Sequence, residues 1–366
     1  MVESFHGSHP LPSFSFMSIS HHPQGRRHDD GVNPTVRSHE MTRKRASMEV
    51  YAREETPFAC LHGCVWHPKD ATAVAFGGGG QTCVYSLRGG RLERRFEATC
   101  GRAGLRASCF LDESVLAFAA EDGSLRSMDC NVEDRGSFEV IGAHRGAVLA
   151  LSKVGSTTVV TGGEDGAIRL WDTRNKAIRD VQTLNQSCKN ACWCLEATKT
   201  HQVLAGFADG RLSLYDLRRG EEQEKLEVCR KYLPDGICGI SSITDETFVA
   251  ATLRTMIWSG TWREEKDEEC RAYRVRDDEC TIWTCSPSPH RSNALAVGDG
   301  KGAMHLCSYQ IDKRAPLVEK VVSVNVATQP VISAEWHSEQ PGVLLCTSMD
   351  DRVHVLLCID TEGIGA

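Results

Sequence analysis

A unit of about forty to forty-five residues recurs seven times along this chain, and that period restricts the fold more than any other feature. Each copy holds three short apolar, β-branched runs separated by turn residues. Tyr85, Met128, Trp171, Tyr215, Ser259, Cys307 and Leu356 occupy equivalent places in the third run, at separations of 43, 43, 44, 44, 48 and 49 residues. A three-run unit this small has no second layer of its own, so the copies can bury their apolar faces only against one another.

The clearest copy is Ile141 to Arg174. Its runs are Ala147–Leu151, Thr157–Thr161 and Ala167–Trp171, joined by Gly155-Ser156 and by Glu164-Asp165-Gly166. Both joints are good turn chemistry, since Gly tolerates positive φ and Asp bonds its own backbone. Opened by His144 and closed by Trp171-Asp172, the copy resembles one WD repeat, the unit of a β-propeller blade. The resemblance implies a buried chain through His144, Thr161, Asp165 and Trp171: the Asp accepts from the His, the His bonds the Thr hydroxyl, and that hydroxyl meets the indole N–H. Each such bond contributes about 1 kcal/mol net, and leaving one partner unpaired costs more. Other copies keep only pieces of it. Asp209 stands opposite Cys188, Asp122 opposite Gly101, and the fifth copy has lost its turn Asp and Gly.

In this register the first blade holds Leu61–Trp66, Thr72–Phe76 and Thr82–Leu87, and the seventh holds Val331–Trp336, Val343–Thr347 and Val353–Ile359. Fourth strands fall between the copies, for example at Arg91–Glu97, Ile178–Leu184 and Leu317–Val324. The seventh copy leaves seven residues after Ile359, too few for its own fourth strand. The β-prone run Met48–Ala52 is the natural donor, and its pairing would close the ring and remove exposed sheet edges. The expected fold is all-β: a seven-bladed β-propeller over residues 48–366, closed by strand 48–52, behind a disordered tail at 1–47.

That tail holds six of the fourteen histidines and four of the twelve prolines, with almost no apolar periodicity, so it cannot repay its ordering entropy. Met41 or Met48 could serve as the start. Arg43-Lys44-Arg45-Ala46-Ser47 reads as an import patch or as a site where a basic-directed kinase modifies Ser47. A net charge of −7 argues against a general nucleic-acid binder, which would show a basic face, and no apolar run is long enough to span a membrane. The seventeen cysteines contain no Cys-x-x-Cys, and the clusters Cys60…Cys64 and Cys188…Cys192…Cys194 lack a matching half with zinc spacing. They read as small buried hydrophobes in a reducing compartment, nucleus or cytoplasm.

Catalytic chemistry is not evident. Gly77–Gly80 lacks the Lys-Ser/Thr of a phosphate loop and reads as a hairpin turn. His144 and Asp165 belong to the structural chain, and His305 and His354 fall on third strands. No metal or cofactor is expected. Partner proteins are. On the face carrying the second-to-third-strand turns, Glu121, Glu164 and Asp277-Asp278-Glu279 form an acidic rim suited to a basic peptide; Glu264–Glu269 lies on the opposite face. Trp171-Asp172-Thr173-Arg174 and Tyr215-Asp216-Leu217-Arg218 resemble the box by which WD-repeat proteins dock on the adaptor of cullin-4 ubiquitin ligases, which implies adaptor contacts by Arg174 and Arg218. Blades two to five are similar to the peptide-binding checkpoint and mRNA-export propellers. GGEDG…WDTR also resembles the WD-repeat diphthine methylesterases, the one enzymatic likeness. The reading is a non-enzymatic WD-repeat scaffold within a multi-subunit complex.

Overall fold

The computed structural model describes residues 46–58, 60–130, 139–142, 144–173, 179–185, 190–198, 200–218, 227–262, 270–310 and 317–360. They form seven four-stranded antiparallel sheets. Six take four successive strands each; blade one, for instance, is Leu61–Trp66, Thr72–Gly77, Gln81–Arg88 and Arg91–Thr99. The seventh joins Val331–Trp336, Val343–Ser348 and Arg352–Asp360 to the strand Ala46–Glu55, which pairs from Ala46↔Asp360 to Glu55↔Arg352. Both ends of the propeller therefore lie in one sheet. The first strand of every sheet packs beside the first strand of the next, blade seven's beside blade one's included, so these inner strands ring a central axis.

No single core exists. Seven apolar clusters sit one at each seam between neighbouring blades. Second strands, covered on both faces, are buried throughout in most blades, as in Thr72–Gly77, Thr247–Thr252, Ala294–Asp299 and Val343–Ser348. Side-chain alternation then sends every other residue to the preceding blade and the rest to the following one. Val159 and Trp171 face blade two, while Val160, Ile168 and Leu170 face blade four.

That alternation corrects one register assignment. In blade five Phe248 pairs with Gly260 as Val159 pairs with Trp171 in blade three, so Gly260, not Ser259, is the equivalent residue. Without the turn Asp and Gly, the sequence carries no mark there. The physical compensation is local: a Cβ on Gly260 would lie 2.8 Å from the Phe248 ring, and Phe248 stacks on Trp262 at 4.6 Å between centroids. Two rings fill the volume that one indole fills in blade three.

Each seam is also bridged by a hydrogen bond from the inner strands or the turns that follow them. His67 Nδ1 accepts from the Asp70 N–H (3.1 Å), so its Nε2–H donates to the Glu113 carbonyl in blade two (2.5 Å). Lys153 Nζ donates to the Leu111 carbonyl across the next seam. Ala197 N–H donates to Ser152 Oγ (3.0 Å), Ser242 N–H to Glu196 (2.8 Å) and Ser241 Oγ to the Cys285 carbonyl (3.0 Å). Trp336 Nε1 donates to the Ser286 carbonyl (2.9 Å). At the closing seam the Trp66 N–H donates to Glu335 Oε2 (2.9 Å).

Burial pushes the Glu335 carboxyl up to about 8, against the one N–H that favours its charged form, and pushes Glu196 up to about 7 against its bonds from Ser242. A raised carboxyl keeps in the folded state a proton that the unfolded chain releases. Its contribution is fully present below the ordinary carboxyl pKa and is lost as pH climbs to about 8. Glu335→Gln should therefore match the parent in urea denaturation at pH 5 and exceed it by about 2 kcal/mol at pH 8.5; equal stability at both would refute the assignment. Deleting residues 46–55 leaves the Arg352–Asp360 edge bare. A melting temperature lower by about 8 °C or more, with loss of monomer on gel filtration, is expected, and an unchanged monomeric melt would show that the ring does not depend on that strand.

Candidate functional site

The buried chain in blade three has a defined direction. His144 Nδ1 lies 2.8 Å from Asp165 Oδ1, His144 Nε2 lies 2.8 Å from Thr161 Oγ1, and Trp171 Nε1 donates to the same hydroxyl at 2.8 Å. A carboxylate only accepts, so Nδ1 carries the imidazole proton and Nε2 accepts from the Thr161 O–H. Burial alone would raise the Asp165 carboxyl, but His144 and the backbone N–H groups of Arg145 and Ala167 hold it below the ordinary carboxylate range. Every proton has a fixed owner, and the chain clamps the turn to the blade.

Three other blades fill the same region differently. In blade two Gly101, at φ +86, stands where His144 does; the buried Arg126 guanidinium occupies the space a Cβ would take there and pairs with Asp122. Blade six builds on the fully buried Asp299, which accepts from His305 Nε2 (2.9 Å), Arg276 Nη1 (2.8 Å) and the Lys301 and Ala303 N–H groups. His305 Nδ1 in turn meets Ser323 Oγ at 2.7 Å. Burial would raise Asp299, but these donors hold it at about 2. In blade seven the buried His354, driven down to about 4 by desolvation, lies 3.5 Å from Ser348 Oγ, whose hydroxyl is bonded to Asp350. Neither His305 nor His354 is exposed to a substrate.

Two of the five rim carboxylates, Glu121 and Asp278, are neutralised by ion pairs. Glu121 pairs with Arg106 at 2.7 Å. Asp278 is held between Arg276 (2.8 Å) and Lys301, and those two bonds keep its carboxyl well below the usual range. Glu164 accepts from the Ala147 N–H at 3.3 Å and remains exposed, as do Asp277 and Glu279. On the opposite face Arg218 is exposed and forms a two-pronged pair with Asp216, Nε to Oδ1 at 2.8 Å. Arg174, Cys188 and Glu264–Glu269 lie outside the described residues.

A feature not read from the sequence lies at the mouth of the central opening. All seven inner strands slip register at their second residue, a bulge that takes that residue out of the ladder. The seven are His62, Arg106, Leu149, Trp193, Cys238, Trp283 and Ile332, all half-buried. Their contacts lie on the face of the second-to-third-strand turns: His62 Nδ1 meets the Leu105 carbonyl at 2.8 Å, Arg106 reaches Glu121, and the Trp193 ring lies 2.7 Å from where a Gly236 Cβ would stand. The Trp283 indole N–H is buried with no acceptor among the described residues. Blades one and two thus supply two polar side chains to the mouth, and blades three to seven supply two indoles, two aliphatic chains and a thiol. Burial and the neighbouring Arg106 lower the His62 pKa, favouring the neutral ring. The available signal was the pair Trp193 and Trp283, at matching places in two copies.

The fold is a seven-bladed β-propeller, consistent with the WD-repeat family. No family model matches the chain. It is similar to dynein axonemal assembly factor 10 of Xenopus tropicalis, 24% identical over 338 residues that cover 81% of this chain and 92% of that protein. The protein of the same name in Dictyostelium discoideum is 26% identical over 258 residues, 64% of this chain and 68% of its own length. WD repeat-containing protein 90 of Xenopus tropicalis is 29% identical over 97 residues, 25% of this chain and 5% of that protein.

His144→Ala removes one donor and one acceptor from a buried chain and strands Thr161 and Asp165. A loss of about 2–4 kcal/mol in urea denaturation is expected; a loss below about 1 kcal/mol would show that the turn is held by other contacts.

Proposed function

We propose that this chain is a non-enzymatic scaffold that works in the assembly of axonemal dynein, and that partner proteins dock at the mouth of its central opening. The observation that carries the first part is the extent of similarity: the match to dynein axonemal assembly factor 10 of Homo sapiens spans 80% of this chain and 92% of that protein, at 23% identity. A likeness that covers most of both chains transfers a mode of action better than one confined to a motif. The second part rests on the bulged ring, where half-exposed aromatic and aliphatic groups sit on stiff inner strands. Partners would find the receptor already ordered, which lowers the entropic cost of binding.

With Glu121 and Asp278 already paired, the mouth offers apolar and indole surface more than free carboxylate. An extended segment with apolar anchors suits it better than a basic peptide. The free thiols of the described cysteines accord with a nuclear or cytoplasmic place of work.

The test is affinity purification of the tagged full-length chain from ciliated or flagellated cells, followed by mass spectrometry. Recovery of axonemal dynein chains or their folding machinery is expected. Trp193→Ala with Trp283→Ala should retain the parent melting temperature within a few degrees and lose about tenfold or more of that recovery, since buried aromatic anchors dominate such contacts. Recovery of a ubiquitin-ligase adaptor instead, lost on Arg174→Ala with Arg218→Ala, would overturn the reading, as would undiminished recovery by the tryptophan variant.

A further inference from the structure

The strand that closes the ring begins with a hydroxyl in an unusual setting. Ser47 follows Arg43-Lys44-Arg45-Ala46 and precedes Met48, so three consecutive cationic residues end two positions before it and an apolar residue comes directly after. Arg43, Lys44 and Arg45 precede the first described residue. Ser47 itself is exposed, and its hydroxyl has no hydrogen-bond partner among the described residues. It lies on the outermost strand of its sheet, open on one side and paired on the other with Ile359.

We infer that Ser47 is a phosphorylation site for an arginine-directed serine kinase, and that its modification is coupled to the pairing of the closing strand with the last strand of the propeller. The chemistry is ordinary phosphoryl transfer from ATP: the Ser47 oxygen bonds the γ-phosphorus, the bond from that phosphorus to the bridging oxygen of ADP breaks, and the hydroxyl proton is released. Guanidinium groups pair with carboxylates of a kinase groove through two-pronged bonds, and residues 43–45 supply that charge on the N-terminal side.

The coupling follows from the residue after the serine. Met48 is 5% exposed and packs among Leu344, Leu356 and Cys358, so a kinase that grips the residues around Ser47 must first draw Met48 out. The pairs that have to open are Ala46↔Asp360, Ser47↔Ile359 and Met48↔Cys358, which stand at the start of the described strand and near the end of the chain. Opening these three leaves the pairs from Glu49↔Leu357 to Glu55↔Arg352 in place, so the strand need not leave the sheet as a whole. Once attached, the phosphate carries nearly two negative charges on the face it shares with the exposed Glu49, and that repulsion opposes re-pairing of the same three residues.

The test uses the recombinant full-length chain, ATP and the catalytic subunit of the cyclic-AMP-dependent protein kinase. One phosphate on the peptide containing Ser47 is expected, with none there in Ser47→Ala. Arg43→Ala with Arg45→Ala should slow its appearance about tenfold or more. Amide exchange over residues 46–48 and 358–360 should be faster in the phosphorylated chain than in Ser47→Ala treated in parallel. No phosphate at Ser47, or a rate indifferent to the two arginines, would overturn the site. Equal exchange in the two samples would overturn the coupling.

Discussion

Each sheet in this protein is apolar on two faces and too small to cover either alone. The structure depends on that constraint. With seven clusters at seven seams, the stability of any blade is that of its two interfaces, and a blade missing a neighbour has lost about half its core. A linear stack would leave two such faces in water. A ring leaves none, provided the last seam forms, and that seam joins residues nearly three hundred positions apart, as in the pairing of Glu55 with Arg352. The longest-range contacts are therefore the ones on which all the others rely, and they comprise a sheet pairing, an apolar cluster and the half-buried Glu335.

The half-buried carboxyls at two seams fit the same logic. A backbone N–H on the open side of an inner edge strand has no ladder partner, and away from water it needs another acceptor. Glu335 and Glu196 supply one across the seam, at matching places in blades seven and four. A neutral acceptor would do it without a charge to desolvate, as Ser152 does between blades three and four. The carboxyls meet the difficulty by holding their protons to a higher pH than carboxyls in water.

How much of this could be read from residues alone depended on how local each interaction is. The number of blades was legible because turn, strand and bulky third-strand residue recur within one unit. The His144–Thr161–Asp165–Trp171 chain was legible because all four residues lie within one repeat and each has a chemically distinctive side chain. Gly260 was not, since blade five has no Asp-Gly turn to mark its register and the compensating ring, Trp262, lies beyond the strand. The Asp299 network was also hidden: Arg276 stands before the inner strand and Ser323 on the outer one, and nothing but the fold brings the first to Asp299 and the second to the His305 that Asp299 holds. The mouth of the opening was missed for another reason. A bulge repeats in all seven inner strands without any residue type to announce it, so His62, Arg106, Trp193 and Trp283 look like ordinary alternating positions until the pairing is seen.

The uneven distribution of the buried chain bears on how one face can be specific. Blade three satisfies its turn with an imidazole, blade two with a guanidinium in the space left by Gly101, and blade six with an aspartate bearing both kinds of donor. All three clamp a turn to a sheet, so all three leave the backbone of the face rigid. They differ in what remains outside. In blade two the ion pair of Arg106 and Glu121 is left at the surface, and in blade six Asp278 and Lys301 are. Seven blades with identical clamps would present a seven-fold surface with no preferred orientation for a ligand. By fixing the turns through different chemistry, the chain keeps a uniform scaffold while the groups left outside differ from blade to blade, and the bulged side chains differ as well, polar in blades one and two and apolar or thiol in the rest.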